Sequence, residues 1–253
     1  MKTIEENWYE LLGTVIENGE THEKDDGDIL QEHLINHCMI SNPLKQLGNQ
    51  NITNEMFIDM IRKGVFNIEG YPIKNEGLAE YVTALDDREQ RYNENSDGTK
   101  KFVYTYPNRI YNMTDLHSDF MVNQFNLILS RLTAVRLNEK EELEYWNGSN
   151  RAVANIYSAV HDCDKNDIPC LNWLQCTVRD NKLILHVMFR SNDLFGAWVG
   201  NMYFLSYLGL KFVDALKNKY PTLEFEGINY NSTSLHIYKH DLPKAKEALE
   251  KRK

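Results

Sequence analysis

Cysteine is scarce. The four present among 253 residues, at positions 38, 163, 170 and 176, are too few and too irregularly spaced for a disulfide framework. Free thiols in a reducing, cytoplasmic setting are the expectation. Basic charge is also short: 28 Lys+Arg face 37 Asp+Glu, a formal net charge of −9. A nucleic-acid binder needs a basic footprint to displace counterions, and an anionic membrane attracts basic segments, so neither nucleic acid nor membrane is an expected partner. No apolar run is long enough to span a bilayer, and the opening MKTIEENWYELL has no basic stretch leading into an apolar one, so no secretory leader is expected. The sequons Asn51-Ile-Thr, Asn112-Met-Thr, Asn147-Gly-Ser and Asn231-Ser-Thr are then chance products of an Asn-rich chain. The 13 glycines are scattered and make neither GxGxxG nor GxxxxGKS, which argues against a glycine-rich phosphate loop. There is no CxxC and no HExxH. On a strand His33 and His37 share a face but lie too far apart for one ion, so His33, His37 and Cys38 read as a polar strand face and no metal is expected.

What the chain does have is apolar content of 42%, enough for a core, and a length that fits one domain over 1–253. Thr3 and Glu6 make a capping-box pattern, Ile4, Trp8, Leu11, Leu12 and Val15 recur at helical spacing, and Gly19 sits where the helix should end. Residues 20–28 read as a charged loop, 29–41 as a strand ended by Asn42-Pro43, and 54–63 as a helix capped by Thr53. A helix is expected over 75–86, a polar loop over 87–101, and an extended segment over 102–110 up to Pro107. An amphipathic helix is expected over 117–135, followed by a polar acidic stretch over 138–150. The strands 172–179 and 182–190 are joined by Asp180-Asn181, two residues that tolerate positive φ, as a tight hairpin requires. A long helix over 201–218, a strand ending the 227–240 segment and a charged helix over 242–253 complete the chain. Strands and helices mix without strict alternation, which predicts an α+β fold with a mixed β-sheet flanked by helices.

One constellation carries chemistry. Cys170 follows Pro169 where the first hairpin strand begins, and the partner strand ends in Arg190-Ser191-Asn192-Asp193. Pairing of the hairpin brings Cys170 and Arg190 back to one edge of the sheet. A guanidinium near a thiol favours the thiolate, and Arg190 with Ser191 could also hold a phosphate. A buried Cys and a surface Arg are the bland alternative.

The ordered set Pro169-Cys170, Arg190-Ser191-x-Asp193, Asn201 and His236-x-Tyr238 resembles the thymidylate synthase superfamily, which includes the pyrimidine-nucleotide hydroxymethylases. The match is densest over 149–240 and dilute before it. The resemblance implies a thymidylate synthase-like fold whose sheet packs across a homodimer. It implies one-carbon transfer from 5,10-methylenetetrahydrofolate, as co-substrate, to C5 of a pyrimidine nucleotide. Cys170 would be the thiolate that adds to C6, and Arg190 would help activate it. Arg190 and Ser191 would bind the substrate phosphate, together with Arg151 donated across the dimer interface. Asn201 would read the O4 and N3 edge of the base, which favours dUMP over dCMP. His236 and Tyr238 would bind the deoxyribose hydroxyl, and Asp193 would lie near the pterin. Glu80 would match the family's helix glutamate; the alternative is an ordinary surface helix carboxylate. The tyrosine that removes the C5 proton is Tyr104 or Tyr106, and strand alternation puts both on one face.

Four features depart from the familiar enzymes, one being Asn150, which precedes Arg151 where they often carry a second arginine. Leu171 stands where they usually carry His. The loop Lys24-Asp25-Asp26-Gly27-Asp28 lacks their phosphate-binding arginine, so Lys24 or nothing replaces it. The chain ends soon after Tyr238, without their long tail. The short C-terminus and the FGAW wording after Arg190-Ser191-Asn192-Asp193 look more like the archaeal branch or the viral hydroxymethylases. The leading expectation is a thymidylate synthase acting on dUMP. The alternatives are a 5-hydroxymethylase for dUMP or another pyrimidine nucleotide, and a non-catalytic nucleotide-binding paralogue.

Overall fold

This computed structural model describes residues 1–24, 27–48, 52–88, 93–94, 100–102, 104–114 and 121–252. Asp25 and Asp26 of the acidic loop, most of the polar stretch 87–101, and residues 117–120 of the predicted amphipathic helix lie outside the described residues. The main elements are α1 (Ile4–Asn18), β1 (Glu20–Glu23), β2 (Ile29–Ser41), α2 (Asn54–Arg62), α3 (Asn75–Thr83), α4 (Tyr106–Tyr111) and α5 (Gln124–Leu132). They continue as β3 (Val153–Asn155), β4 (Leu171–Arg179), β5 (Lys182–Asp193), α6 (Trp198–Leu216), β6 (Glu224–Tyr238) and α7 (Leu242–Lys251). The chain forms two compact units. The first comprises Met1–Thr83, Met188–Leu208 and Gly227–Lys253; the second comprises Ala84–Val187 and Gly209–Glu226.

In the first unit β1, β2, β6 and the end of β5 are sheet neighbours in that order. Strand β2 runs antiparallel to β1 and to β6, with Leu235 opposite His33 and His236 opposite Glu32. Helix α1 forms as the sequence predicts: Thr3 Oγ1 accepts the Glu6 N–H at 3.0 Å and Glu6 Oε2 accepts the Thr3 N–H at 2.7 Å. Its apolar stripe of Ile4, Trp8, Leu11, Leu12 and Val15 is buried. Gly19 ends the helix in an extended rather than a left-handed conformation. Glycine is needed there for proximity, because a Cβ would stand 2.4 Å from the Val15 carbonyl oxygen and 2.9 Å from that of Glu32. Residues 20–23 are not loop but strand, registered Glu20 to Glu32 through Glu23 to Ile29. All four are exposed on the sheet edge, so no apolar alternation marks them in the sequence.

In the second unit the starts of β6 and β5 are followed by β4 and β3. The β4–β5 turn is as predicted, with φ of 49° at Asp180 and 58° at Asn181. Leu174, Cys176, Val178, Leu183, Leu185 and Val187 are buried with period two. Contacts between Lys182 and Glu226 in this unit, and between Ser191 and His236 in the first, ascend both strands together. Strands β5 and β6 are therefore parallel, with α6 as their crossover, and the sheet is mixed. The fold class is α+β, as expected.

Two further local expectations are corrected. The segment 102–110 is not extended to Pro107: Thr105 Oγ1 accepts the Asn108 N–H at 3.3 Å and starts α4 at Tyr106. Pro107 occupies the first turn, where no backbone N–H is required. The predicted helix 117–135 shortens to α5, because Asn123 Oδ1 accepts the Asn126 N–H at 2.9 Å and sets its start. Met121 and Val135 lie in short strands instead. The acidic stretch 138–150 contains the strand Leu143–Trp146, paired with Ala134–Leu137. Among the described residues no helix is long and apolar enough to cross a membrane.

Candidate functional site

The sequence-selected residues fall into two clusters, one in each unit. In the first unit the end of β5 is held from both sides. Trp8, fully buried, donates its indole N–H to the Leu194 carbonyl at 2.9 Å, and the Leu194 N–H donates to the His236 carbonyl at 2.8 Å. The Arg190-Ser191-Asn192-Asp193 segment is thereby pinned next to His236 on β6. Ser191 Oγ lies 3.3 Å from His236 Nδ1.

His236 is only 5% exposed, and its Nε2 has no hydrogen-bond partner. Burial holds its pKa down to about 4; the cations Lys24 and Arg190 push the same way and Glu32 opposes them. At neutral pH the ring is uncharged, with one nitrogen a donor and the other an acceptor. An unbonded buried nitrogen of this kind suits a ligand hydroxyl, which can act as donor or acceptor. Tyr238 meets His236 edge to face, with ring centroids 5.2 Å apart, and the Lys24 ammonium lies 5.5 Å from the Tyr238 centroid.

Asp193 closes the turn into α6. Its Oδ1 accepts the N–H groups of Phe195 at 3.1 Å and Gly196 at 3.0 Å. Burial raises its pKa, partly offset by those two bonds. Gly196 permits the closure, since a Cβ there would stand 2.3 Å from Asp193 Oδ2. Asn201, on α6, is buried with both ends of its amide engaged: Tyr81 donates to Oδ1 at 2.7 Å and Nδ2 donates to Asn192 Oδ1 at 3.1 Å. Sequence reasoning missed Tyr81 and Asn192; their only signal was adjacency to Glu80 and a place inside the Arg-Ser-x-Asp motif. Glu80 itself is on the exposed side of α3.

In the second unit Cys170 is half-buried immediately before β4. Two tyrosine hydroxyls converge on the backbone beside it. Tyr104 accepts the Cys170 N–H at 3.4 Å, and Tyr106 accepts the Leu171 N–H at 3.2 Å. The expected alternation on one strand face does not hold, since Tyr104 precedes the cap residue Thr105 and Tyr106 opens α4. Both rings still reach one place because the chain turns between them, with centroids 5.8 Å apart. Tyr104 is 7% exposed, and burial pushes its hydroxyl pKa up. Leu171 is fully buried. Arg151 is exposed, with its backbone N–H donated to Ser149 Oγ at 3.1 Å.

A buried ion pair braces this cluster: Arg109 on α4 donates to Asp162 Oδ1 at 2.6 Å. Asp162 Oδ2 also accepts the Ser158 N–H at 2.9 Å. The other cysteines differ from Cys170 in setting. Burial pushes the Cys38 thiol up to about 12 and raises that of Cys176 as well, which disfavours their thiolates. Cys163 is exposed. His33 and His37 each bond an asparagine, His33 Nδ1 lying 2.9 Å from Asn36 Oδ1 and His37 Nε2 2.9 Å from Asn229 Oδ1.

No protein-family model matches the chain. It is similar to archaeal proteins provisionally named as thymidylate synthases. One from Methanothermobacter marburgensis is 28% identical over 250 residues, covering 98% of this chain and 95% of the relative. One from Methanosarcina barkeri is 27% identical over 241 residues, covering 95% and 88%. One from Methanopyrus kandleri is 26% identical over 245 residues, covering 96% and 93%. The similarity extends through both compact units and includes the stretch before residue 149, where the motifs are dilute. With the collinear Cys170, Arg190-Ser191-x-Asp193, Asn201 and His236-x-Tyr238 motifs, it supports placing the chain in a thymidylate synthase-like superfamily.

Proposed function

We propose that the protein is a thymidylate synthase that methylates dUMP at C5 through a covalent adduct on Cys170. The observation that carries this reading is the half-buried Cys170 with the Tyr104 hydroxyl bonded to its own backbone N–H. A uracil ring is a poor carbon nucleophile. Addition of the Cys170 thiolate to C6 pushes electrons to C5 and O4, so that C5 can attack a one-carbon electrophile. Arg190 and Ser191 hold the phosphate. Arg151, which is exposed, is donated across a homodimer to the same phosphate. Asn201 reads the base edge.

His236 offers its unbonded Nε2 to the deoxyribose hydroxyl beside Tyr238. Tyr104 takes the C5 proton rather than Tyr106, since its hydroxyl bonds the nucleophile's own N–H and lies in the more buried ring. Glu80 organises water toward O4. Asp193 Oδ1 is committed to its turn, while among the described residues nothing hydrogen-bonds Oδ2, leaving an acceptor that suits the N–H donors of a pterin. Methylenetetrahydrofolate supplies the carbon and the hydride, giving dTMP and dihydrofolate. Expulsion of the Cys170 thiolate from C6 frees the product.

A second reading is a 5-hydroxymethylase on the same residues, in which water rather than hydride ends the reaction. Leu171, apolar and fully buried where the familiar synthases carry His, favours it. Incubation with dUMP and methylenetetrahydrofolate separates the two. Dihydrofolate absorbance with dTMP by mass supports the synthase. A hydroxymethyl product without dihydrofolate supports the hydroxymethylase. No turnover, together with no covalent adduct to 5-fluoro-dUMP, refutes both and leaves the non-catalytic nucleotide binder. Full activity in Cys170→Ser refutes the assigned nucleophile.

A further inference from the structure

Asn201 belongs to a hydrogen-bond chain with a defined direction. Asn192 Nδ2 donates to the Tyr230 hydroxyl oxygen at 3.3 Å. That orientation points Asn192 Oδ1 at Asn201 Nδ2, 3.1 Å away, and Asn201 Oδ1 at the Tyr81 hydroxyl, 2.7 Å away. Reversing either amide would set donor against donor or acceptor against acceptor at a buried position, which is costly.

A carboxamide has two acceptor positions on oxygen and two hydrogens on nitrogen. The chain uses one of each. Asn201 is left with one acceptor and one donor in a fixed order. The uracil edge presents an N3–H donor beside an O4 acceptor. Cytosine presents an N3 acceptor beside an N4 amino donor, the reverse order. An unrestrained asparagine can read either by rotating its amide by half a turn, whereas a locked one reads only one.

The packing supports this use of Tyr81. Gly200 immediately precedes Asn201, and a Cβ there would stand 3.1 Å from both Cδ1 and Cε1 of the Tyr81 ring. Glycine inside a helix is unfavourable relative to alanine. Here it admits the tyrosine to the helix surface beside Asn201.

We propose that Tyr81 and Asn192 are positioning residues that hold the Asn201 carboxamide in one polarity, so that the site discriminates uracil from cytosine nucleotides. This rests on the reading of Asn201 as the base-reading residue. The test is to measure dissociation constants of dUMP and dCMP for the wild type and for Tyr81→Phe, with circular dichroism to confirm folding. The wild type is expected to prefer dUMP. Tyr81→Phe removes the donor to Oδ1 and should lower the dUMP:dCMP preference by about two- to tenfold, the range for one neutral hydrogen bond. A purely structural role for Tyr81 weakens both ligands alike and leaves the ratio unchanged, and an unchanged ratio overturns the proposal. Tyr230→Phe, which removes the acceptor orienting Asn192, should lower the ratio in the same way and replaces the first variant if that one does not fold. A wild type that binds neither nucleotide, or shows no preference, refutes instead the reading of Asn201 on which the proposal stands.

Discussion

Replacing His236 by Asn should remove a specific part of the protein's acid sensitivity. The buried imidazole has its pKa held down to about 4, chiefly by burial, from an ordinary value of 6.5. Above pH 6.5 the ring is neutral in both the folded and unfolded states, and no proton is exchanged on unfolding. As pH falls below 6.5 the unfolded chain takes up a proton there while the folded protein does not, so stability declines until the folded ring also protonates near pH 4. At 1.36 kcal/mol per pH unit, the loss is about 2 kcal/mol at pH 5 and about 3 kcal/mol when complete. The ring is 5% exposed, so solvent screening takes little from these figures. Glu32 opposes the shift, and Lys24 and Arg190 reinforce it.

The assay is urea denaturation between pH 7 and pH 5, followed by fluorescence of the buried Trp8 and Trp198. Asp193, its pKa raised by burial, acts in the opposite direction and is common to wild type and variant. His186 has its pKa lowered by burial and contributes to the wild-type slope too, so the informative quantity is the difference between wild type and His236→Asn. That difference should move by about 2 kcal/mol in favour of the variant between pH 7 and pH 5. A difference that stays constant over the window, or a His236 resonance titrating near 6.5, would refute the assignment of a buried neutral ring.

Other perturbations follow from the same geometry. Tyr104→Phe should lower turnover by about 10²- to 10⁴-fold with little change in nucleotide affinity, and Tyr106→Phe should do less; equal losses in steady-state kinetics would deny Tyr104 its role. Arg109→Met leaves the fully buried Asp162 carboxylate with only the longer 3.8 Å contact to Lys165 and should cost about 3 kcal/mol in urea denaturation, with Asp162→Asn in the same chain recovering part of the loss. Gly227→Ala should destabilise strongly in thermal unfolding. Its φ is +152°, and an added Cβ would stand 2.0 Å from the Ile40 carbonyl oxygen on the paired strand.

The elements readable from sequence are those whose determinants are close together in the chain. Helix α1 was legible because its capping box spans four residues and its apolar stripe recurs every turn. The β4–β5 hairpin was legible because Asp180-Asn181 accepts positive φ, and the order of Cys170, Arg190-Ser191-x-Asp193, Asn201 and His236-x-Tyr238 is itself a linear fact. Strand β1 was not, since a fully exposed edge carries no apolar alternation. Helix α4 was not, since a threonine cap and a first-turn proline outweighed a run that reads as extended.

The working arrangement of the site was beyond sequence for a different reason. Tyr81 and Asn201 are 120 positions apart, Tyr104 and Cys170 are 66 apart, and Ser191 and His236 are 45 apart. Side-chain identity specifies what each group can donate or accept. Only the path of the folded chain decides which donor meets which acceptor, and which nitrogen of a buried histidine is left with none.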